Sequence, residues 1–175
     1  AYVPGVSDAP DELVWVDRTG RELEKVGEPG AYRNIALSPD ESRVAYELAD
    51  ARNDNSDVWV YEFSRKVASR LTFATESDDW PLWTADGSAI VFSMVGDDSS
   101  AICSRMANGV GEVKILAKIA GVAGASDISP DGKYFVIQKL GEGGAFDLFL
   151  KETTPESAMT PLLTLNSALT SPLPT

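Results

Sequence analysis

Two adjacent carboxylates, Asp78 and Asp79, precede Trp80 in the stretch ESDDWPLW, and paired acids are where general acid–base chemistry would be sought first. The surrounding pattern reads as a strand, however. Strand neighbours point to opposite faces, so these two cannot act as a glycosidase pair. A second stretch, ADARNDNSDVW (49–59), gathers Asp50, Asn53, Asp54, Asn55 and Asp57, oxygen ligands that calcium favours. It lacks the sixth-place glycine and the distant glutamate of an EF-hand. Asn and Asp are also the commonest loop formers, so the stretch reads as a hairpin loop and no metal is expected.

Histidine is absent from the chain, which excludes Ser–His and Cys–His nucleophile pairs and His-bearing zinc sites. No GxxxxGK, no GxGxxG after a strand and no protein-kinase loop occurs, so nucleotide chemistry has no seat and no cofactor is expected. The lone Cys103, between Ile102 and Ser104, reads as a small buried hydrophobe. With 27 acidic against 15 basic residues the net charge is -12, which repels nucleic acid and anionic lipid. No run approaches the ~20 apolar residues that span a bilayer. The first residues lack the basic-then-apolar order of a signal peptide, so the chain reads as soluble and without membrane contact.

What positions these residues is a repeat. LSPDESRVAY (37–46), WTADGSAIVF (83–92) and ISPDGKYFVI (128–137) place Ser38, Thr84 and Ser129 46 and 45 residues apart, a period that belongs to superhelical arrays or propeller blades. Within one period, RVAYEL (43–48), DVWVYEF (57–63), SRLTF (69–73) and DWPLWT (79–84) are four short runs of β-branched and aromatic residues separated by turn formers. The next periods supply SAIVFSM (88–94), AICSRM (101–106), EVKIL (112–116) and ASDIS (125–129), then KYFVIQK (133–139), FDLFLK (146–151) and PLLTL (161–165). The fold class expected is therefore all-β, a β-propeller of four-stranded antiparallel blades, about four of them in this chain. Asp40, Asp86 and Asp131 are turn residues in this scheme. Glu41 stands where the other turns have Gly87 and Gly132, so strain or a changed turn type is expected there.

The turn, the strand Val44–Tyr46, Asp57 with Trp59, Arg70-Leu71-Thr72, and Pro81 with Trp83-Thr84 together resemble the TolB-type, WD-repeat-like propeller repeat. The N-terminal YVPGVSDAPDELVWVDRTGRELEKVGEPGAYRNIALSPD is also similar to the start of propellers that follow the kinase and membrane segment of certain bacterial serine/threonine kinases. The resemblance covers nearly the whole chain. It implies a sensor or interaction module outside the cytoplasm. Phe149 replaces the repeat's tryptophan in the third copy, and the terminal SPLPT lacks Asp-Gly.

In this family the innermost strand precedes the turn. The chain would then open with a second strand (Tyr2, Val3), a third (Leu13 to Asp17) and an outer one (Glu22 to Val26), its own inner strand missing. One propeller domain, 1–175, is expected, with blades near 1–30, 31–76, 77–121 and 122–165 and a closing strand at 166–173. That closing strand would complete the N-terminal blade within one chain or between two, or else the chain is part of a larger ring. An open half exposes edges and faces that invite a partner.

Beside the central channel, where propellers bind ligands, the inner strands place Arg33 and Asn34, then Asp78, Asp79 and Trp80, then Asp127; these are the binding candidates. The plainer alternative has Trp80 and Trp83 packing between blades and the carboxylates facing solvent. The leading functional expectation is a non-enzymatic module for a protein or peptide ligand. The alternatives are a substrate-gating propeller beside an α/β-hydrolase peptidase, whose GxSxG and histidine would lie elsewhere, and a homo-oligomeric half-propeller whose main partner is itself.

Overall fold

Each repeated turn is held by one aspartate. Asp40 accepts the hydroxyls of Ser38 at 2.6 Å and Ser42 at 2.8 Å. Asp86 does the same for Thr84 at 2.7 Å and Ser88 at 2.9 Å, and Asp131 for Ser129 at 2.7 Å. These donors hold all three carboxyls well below the ordinary range, at about 2. Gly87 and Gly132 close their turns at φ 67° and 69°, and Glu41 closes the first at φ 59°, in the left-handed region that costs a side chain energy. The backbone bond is unchanged: the N–H of Glu41, Gly87 and Gly132 each donates to the turn's first carbonyl at 2.8 Å. The expected strain is present and the turn type is kept.

A computed structural model describes residues 10–164 apart from 51, 53, 54, 97, 143 and 155. The readings of Tyr2 and Val3, of Asn53 and Asp54, of Leu165 and of the closing strand 166–173 lie outside the described residues. The fold is all-β, and the described residues form thirteen strands, all antiparallel: β1 (Asp11–Val16), β2 (Glu22–Leu37), β3 (Arg43–Ala49), β4 (Ser56–Glu62), β5 (Val67–Arg70), β6 (Ser77–Trp83), β7 (Ala89–Val95), β8 (Ser99–Met106), β9 (Lys114–Ala120), β10 (Ala123–Ile128), β11 (Tyr134–Leu140), β12 (Phe146–Glu152) and β13 (Met159–Leu163). They form meanders in the order β1 to β5, β6 to β9 and β10 to β13. This is the blade architecture of a β-propeller.

β2 is the one strand that the sequence pattern splits in two. Its first half pairs with β1, ending at Asp11 opposite Gly30, and its second half pairs with β3 from Ala31 opposite Ala49. The strand therefore carries the chain from an N-terminal ribbon (β1 and early β2) into the first blade (late β2 to β5). Gly30 permits this passage, because a Cβ there would lie 2.8 Å from Leu48 Cδ1.

Two boundaries differ from the expected runs. The β5 ladder stops at Arg70, short of Leu71-Thr72-Phe73, because the N–H groups of Leu71 and Thr72 both turn to Val58 O while Thr72 Oγ1 accepts the Val58 N–H at 2.9 Å. The strand expected over 112–116 begins at Lys114 and runs to Ala120, since Gly109 and Gly111, at φ 76° and 82°, spend the preceding residues on a wide turn.

Alternation decides which side chains meet between blades. Ala45, Val58, Val60 and Leu71 of the first blade bury against Trp83, Ile90, Phe92 and Cys103 of the second (β6 to β9). Val91, Ile102, Ala117 and Ile119 of the second bury against Ala123, Ala125, Phe135 and Ile137 of the third (β10 to β13). A third cluster joins Leu13 and Val26 of the ribbon to Val44, Tyr46 and Tyr61. Polar contacts fix the first interface. Trp83 Nε1 donates to Ala36 O at 2.9 Å, Arg43 lies 4.6 Å over the Trp83 ring and donates to Gly87 O, and Arg105 donates to Leu71 O.

Candidate functional site

The inner strand of every blade carries a bulge. In β2 the ladder passes from Arg33 opposite Glu47 to Ile35 opposite Tyr46, leaving Asn34 extra at φ 37°. In β6 it passes from Asp79 opposite Ser93 to Leu82 opposite Val91, with Trp80 at φ 53°. In β10 it passes from Ala125 opposite Ile137 to Asp127 opposite Val136, with Ser126 extra. Pro81 gives the second bulge a local reason, since it has no N–H for the ladder. A bulge re-aims side chains and frees a backbone N–H from its own sheet.

Inner-strand N–H groups that point off their own ladder meet the preceding blade. Ala125 N–H donates to Ser93 Oγ at 3.1 Å, and the Trp80 backbone N–H lies near enough to the Glu47 carboxylate to favour its charged form. Glu47 is 2% exposed and also accepts Asn34 Nδ2 at 2.8 Å, while Arg33 Nη1 stands 3.8 Å away. Burial pushes its carboxyl pKa up, and nearby Asp79 adds to the rise, against the Asn34, Trp80 and Arg33 contacts. Glu47 thus gathers four of the candidate residues: Arg33 and Asn34 from its own sheet, Asp79 and Trp80 from the next. The sequence signal for it was a single charge inside the otherwise uncharged run VAYEL (44–48).

Asp79 accepts the Ser56 hydroxyl at 2.6 Å. Asp78 points the other way and is 1% exposed, near Asp57, Thr72 and the Ala74 backbone. Its Oδ1 has no hydrogen-bond partner among the described residues. Burial, reinforced by the Asp57 and Asp79 charges, raises its pKa to about 6. Asp57 in turn is bound by Arg70 Nη2 at 2.6 Å. This second group ties β4, the end of β5 and β6 together.

Trp80 is half-buried, and its indole lies across the third blade at Gly124, where a Cβ would come within 1.8 Å of Cε3. It therefore packs between blades, as the plainer reading of this residue has it. Asp127 is exposed on the third blade, its carboxylate accepting the N–H of Ile128 at 2.8 Å. Asp50 accepts the N–H of Arg52 at 2.9 Å inside the loop that contains it. Cys103 is buried, and burial lifts its thiol pKa to about 11.

No family model and no curated protein matches the chain. Solved structures do. TolB from Acinetobacter baumannii superposes with a TM-score of 0.70 at 19% identity, over 89% of this chain and 38% of that one. A prolyl endopeptidase gives 0.64 at 17% identity, over 90% of this chain and 27% of the other. An oligogalacturonate lyase gives 0.58 at 13% identity, over 86% and 46%. The chain thus spans less than half the length of each.

Proposed function

We infer that the site, and not the fold, must carry the functional reading, because a TolB-type propeller shared by TolB, a peptidase and a lyase assigns no activity by itself. We propose that the chain is a non-enzymatic binding module which takes a protein or peptide ligand over the bulged inner strands, with Arg33, Asn34 and Asp127 exposed to the ligand and Asp79 and Trp80 holding them, while Asp78, buried on the other side of its strand, has no part in the contact. The observation that carries this reading is the Glu47 cluster, in which one buried carboxylate fixes candidates from two blades into one arrangement. Arg33 and Asn34 of that cluster are exposed, as is Asp127 on the inner strand of the third blade. The absence of histidine supports a binding role over hydrolysis. The net charge of -12 favours cationic partners by steering. A sensor role outside the cytoplasm is part of the proposal, supported by the resemblance of the N-terminal stretch to propellers that follow kinase and membrane segments.

The test is selection from a random heptapeptide library on the immobilised chain, with an Arg33→Ala/Asp127→Ala double variant as comparison. Enrichment of sequences that bind the wild type at least ten-fold better than the variant is expected. No enrichment, or equal binding by both, overturns the site.

A further inference from the structure

Between the first two blades, away from both ends of the stack, the hairpin of β4 and β5 and the turn from β8 to β9 enclose a cleft of about 280 Å³. All four strands of each of these blades are described. The floor of the cleft is apolar and buried, made by Val60, Leu71 and Ala107. Its rim is basic, with Arg43, Arg65 and Arg70 around one carboxylate, Glu62. Arg105 stands behind the wall. It donates through Nη1 to Leu71 O at 2.6 Å and through Nη2 to Gly109 O at 2.9 Å, and both acceptor residues line the cleft.

These charges are unevenly compensated. Arg70 is neutralised, since Nη2 binds Asp57 at 2.6 Å and Nε donates to Thr72 O at 2.8 Å. Glu62 stands opposite Arg43 across β3 and β4, yet its carboxylate takes the Ser64 hydroxyl at 2.8 Å and Arg65 at 3.6 Å. Asp40 feels the Arg43 charge but gives its oxygens to Ser38 and Ser42. Arg43 is half-buried, stacked 4.6 Å over the Trp83 ring, and donates to Gly87 O at 2.9 Å. Arg105 is half-buried too, and its Nε is buried with no partner among the described residues. Neither forms an ion pair with a described carboxylate. A carbonyl satisfies an N–H and leaves the charge standing, and a half-buried cation without a counter-ion is unfavourable. Four guanidiniums thus stand here against three carboxylates, Glu62, Asp57 and Asp40, in a chain of net charge -12.

Blade stacking does not require this pair. Arg43 lies five residues beyond the first residue of its turn, and in the next two blades that place holds Ala89 and Tyr134. Arg105, opposite Ile90, corresponds in the third blade to Lys151, opposite Phe135, and Lys151 directs its ammonium to Thr154 and Ser157 of its own hairpin. The second interface packs without either guanidinium.

We propose that this cleft is a binding site for a small organic anion, whose carboxylate or phosphate group lies against Arg43 and whose apolar part covers Val60 and Leu71. Guanidinium forks grip both kinds of oxyanion. Small-molecule sites begin at roughly 300 Å³, so the cleft holds more than a bare oxyanion. Trp83 fixes the Arg43 guanidinium before a ligand arrives, which lowers the ordering cost of binding. Ser69 and Asn108 add neutral donors at the rim; Asn108 Oδ1 accepts the Val110 N–H at 3.0 Å, which leaves the amide N–H groups to the ligand. The inference is independent of the peptide-binding reading, whose residues lie on the inner strands.

The experiment is titration calorimetry of the 175-residue chain with phenyl phosphate, benzoate, inorganic phosphate and benzyl alcohol. One of the two aromatic anions is expected to bind about ten-fold more tightly than inorganic phosphate or benzyl alcohol, and the tighter of the two identifies the head group. Arg43→Gln is expected to weaken that binding about ten-fold or more. Glu62→Gln removes the competing carboxylate and is expected to tighten it about two- to five-fold. Arg18→Gln, exposed and outside the cleft, is expected to leave it unchanged. No binding of either aromatic anion overturns the proposal, as does binding that Glu62→Gln leaves unchanged or that Arg18→Gln weakens as much as Arg43→Gln. Inorganic phosphate bound as tightly as phenyl phosphate overturns the organic ligand. If circular dichroism shows Arg43→Gln to be unfolded, the gain in Glu62→Gln decides the matter.

Discussion

Ser93 Oγ accepts the backbone N–H of Ala125 at 3.1 Å across the second blade interface, with both residues at 0% exposure. Ala125 is in register with Ile137, but its N–H turns out of the sheet toward the second blade, as that of Ala123 does to Ser100 Oγ, and no water can reach it. Ser93→Ala therefore strands a buried donor, at a cost of about 1 to 3 kcal/mol. The expected result is a lower urea midpoint with an unchanged slope. An unchanged midpoint would show that the hydroxyl contributes nothing to blade stacking.

Glu41 offers the opposite case, a residue whose replacement improves the fold. Its φ of 59° is where Gly87 and Gly132 sit in the equivalent turns, and its side chain is exposed. Glu41→Gly relieves the left-handed strain, offset in part by the greater freedom of glycine in the unfolded chain. A net gain of about 0.5 to 1 kcal/mol is expected in denaturant unfolding, and a loss would mean that the turn is not strained.

Much of this was legible in the sequence, and for a physical reason. The turns need a Ser/Thr, an Asp and a positive φ at fixed places, and the strands between them need period-two apolar residues, so both leave local marks in the residue types. The inner-strand candidates were placed by the same register. What did not show was long-range. β2 runs unbroken through Gly30 beside Leu48, and Glu47 gathers Arg33, Asn34, Asp79 and Trp80 from two sheets. The charge of Glu47 inside its strand marks the residue, but nothing local to it marks its partners.

The buried Asp78 makes stability depend on pH in a definite direction. Its folded pKa, about 6, lies above the ordinary 3.8, so the native state binds the extra proton between those values. Stability from this group is fully present below pH 4 and is lost as pH rises through 6, by at most about 3 kcal/mol. Glu47, shifted the same way, adds to the trend. The thermal midpoint is expected to be higher at pH 5 than at pH 7.5, and Asp78→Asn is expected to shrink that difference. An Asp78→Asn profile that parallels the wild type would refute the assignment.

The turn aspartates act in a separate window. Asp40, Asp86 and Asp131 have folded pKa values of about 2, below the ordinary 3.8, so their contribution is present above pH 4 and is lost as pH falls toward 2. Stability is thus expected to peak between pH 4 and 6, with a steep acid limb that Asp86→Asn makes shallower. An acid limb unaltered in that variant would assign the loss to other carboxylates.

Trp80 and Gly124 provide the sharpest test of how the blades stack. A Cβ on Gly124 would lie 1.8 Å from Trp80 Cε3, 2.1 Å from Cζ3 and 2.9 Å from Ser93 Oγ, so Gly124→Ala must displace an indole that packs against the neighbouring blade. The Trp80 backbone is held at φ 53° between Asp79, bound by Ser56, and Pro81, so relief of the clash must come from the indole's own torsions against its packing. Gly124→Ala is expected to cost about 1 to 3 kcal/mol as an overpacked site. Trp80→Ala removes the clash, so the double variant is expected to be less destabilised than the sum of the two singles. Purely additive losses in denaturant unfolding would separate the two residues and remove Trp80 from the blade interface.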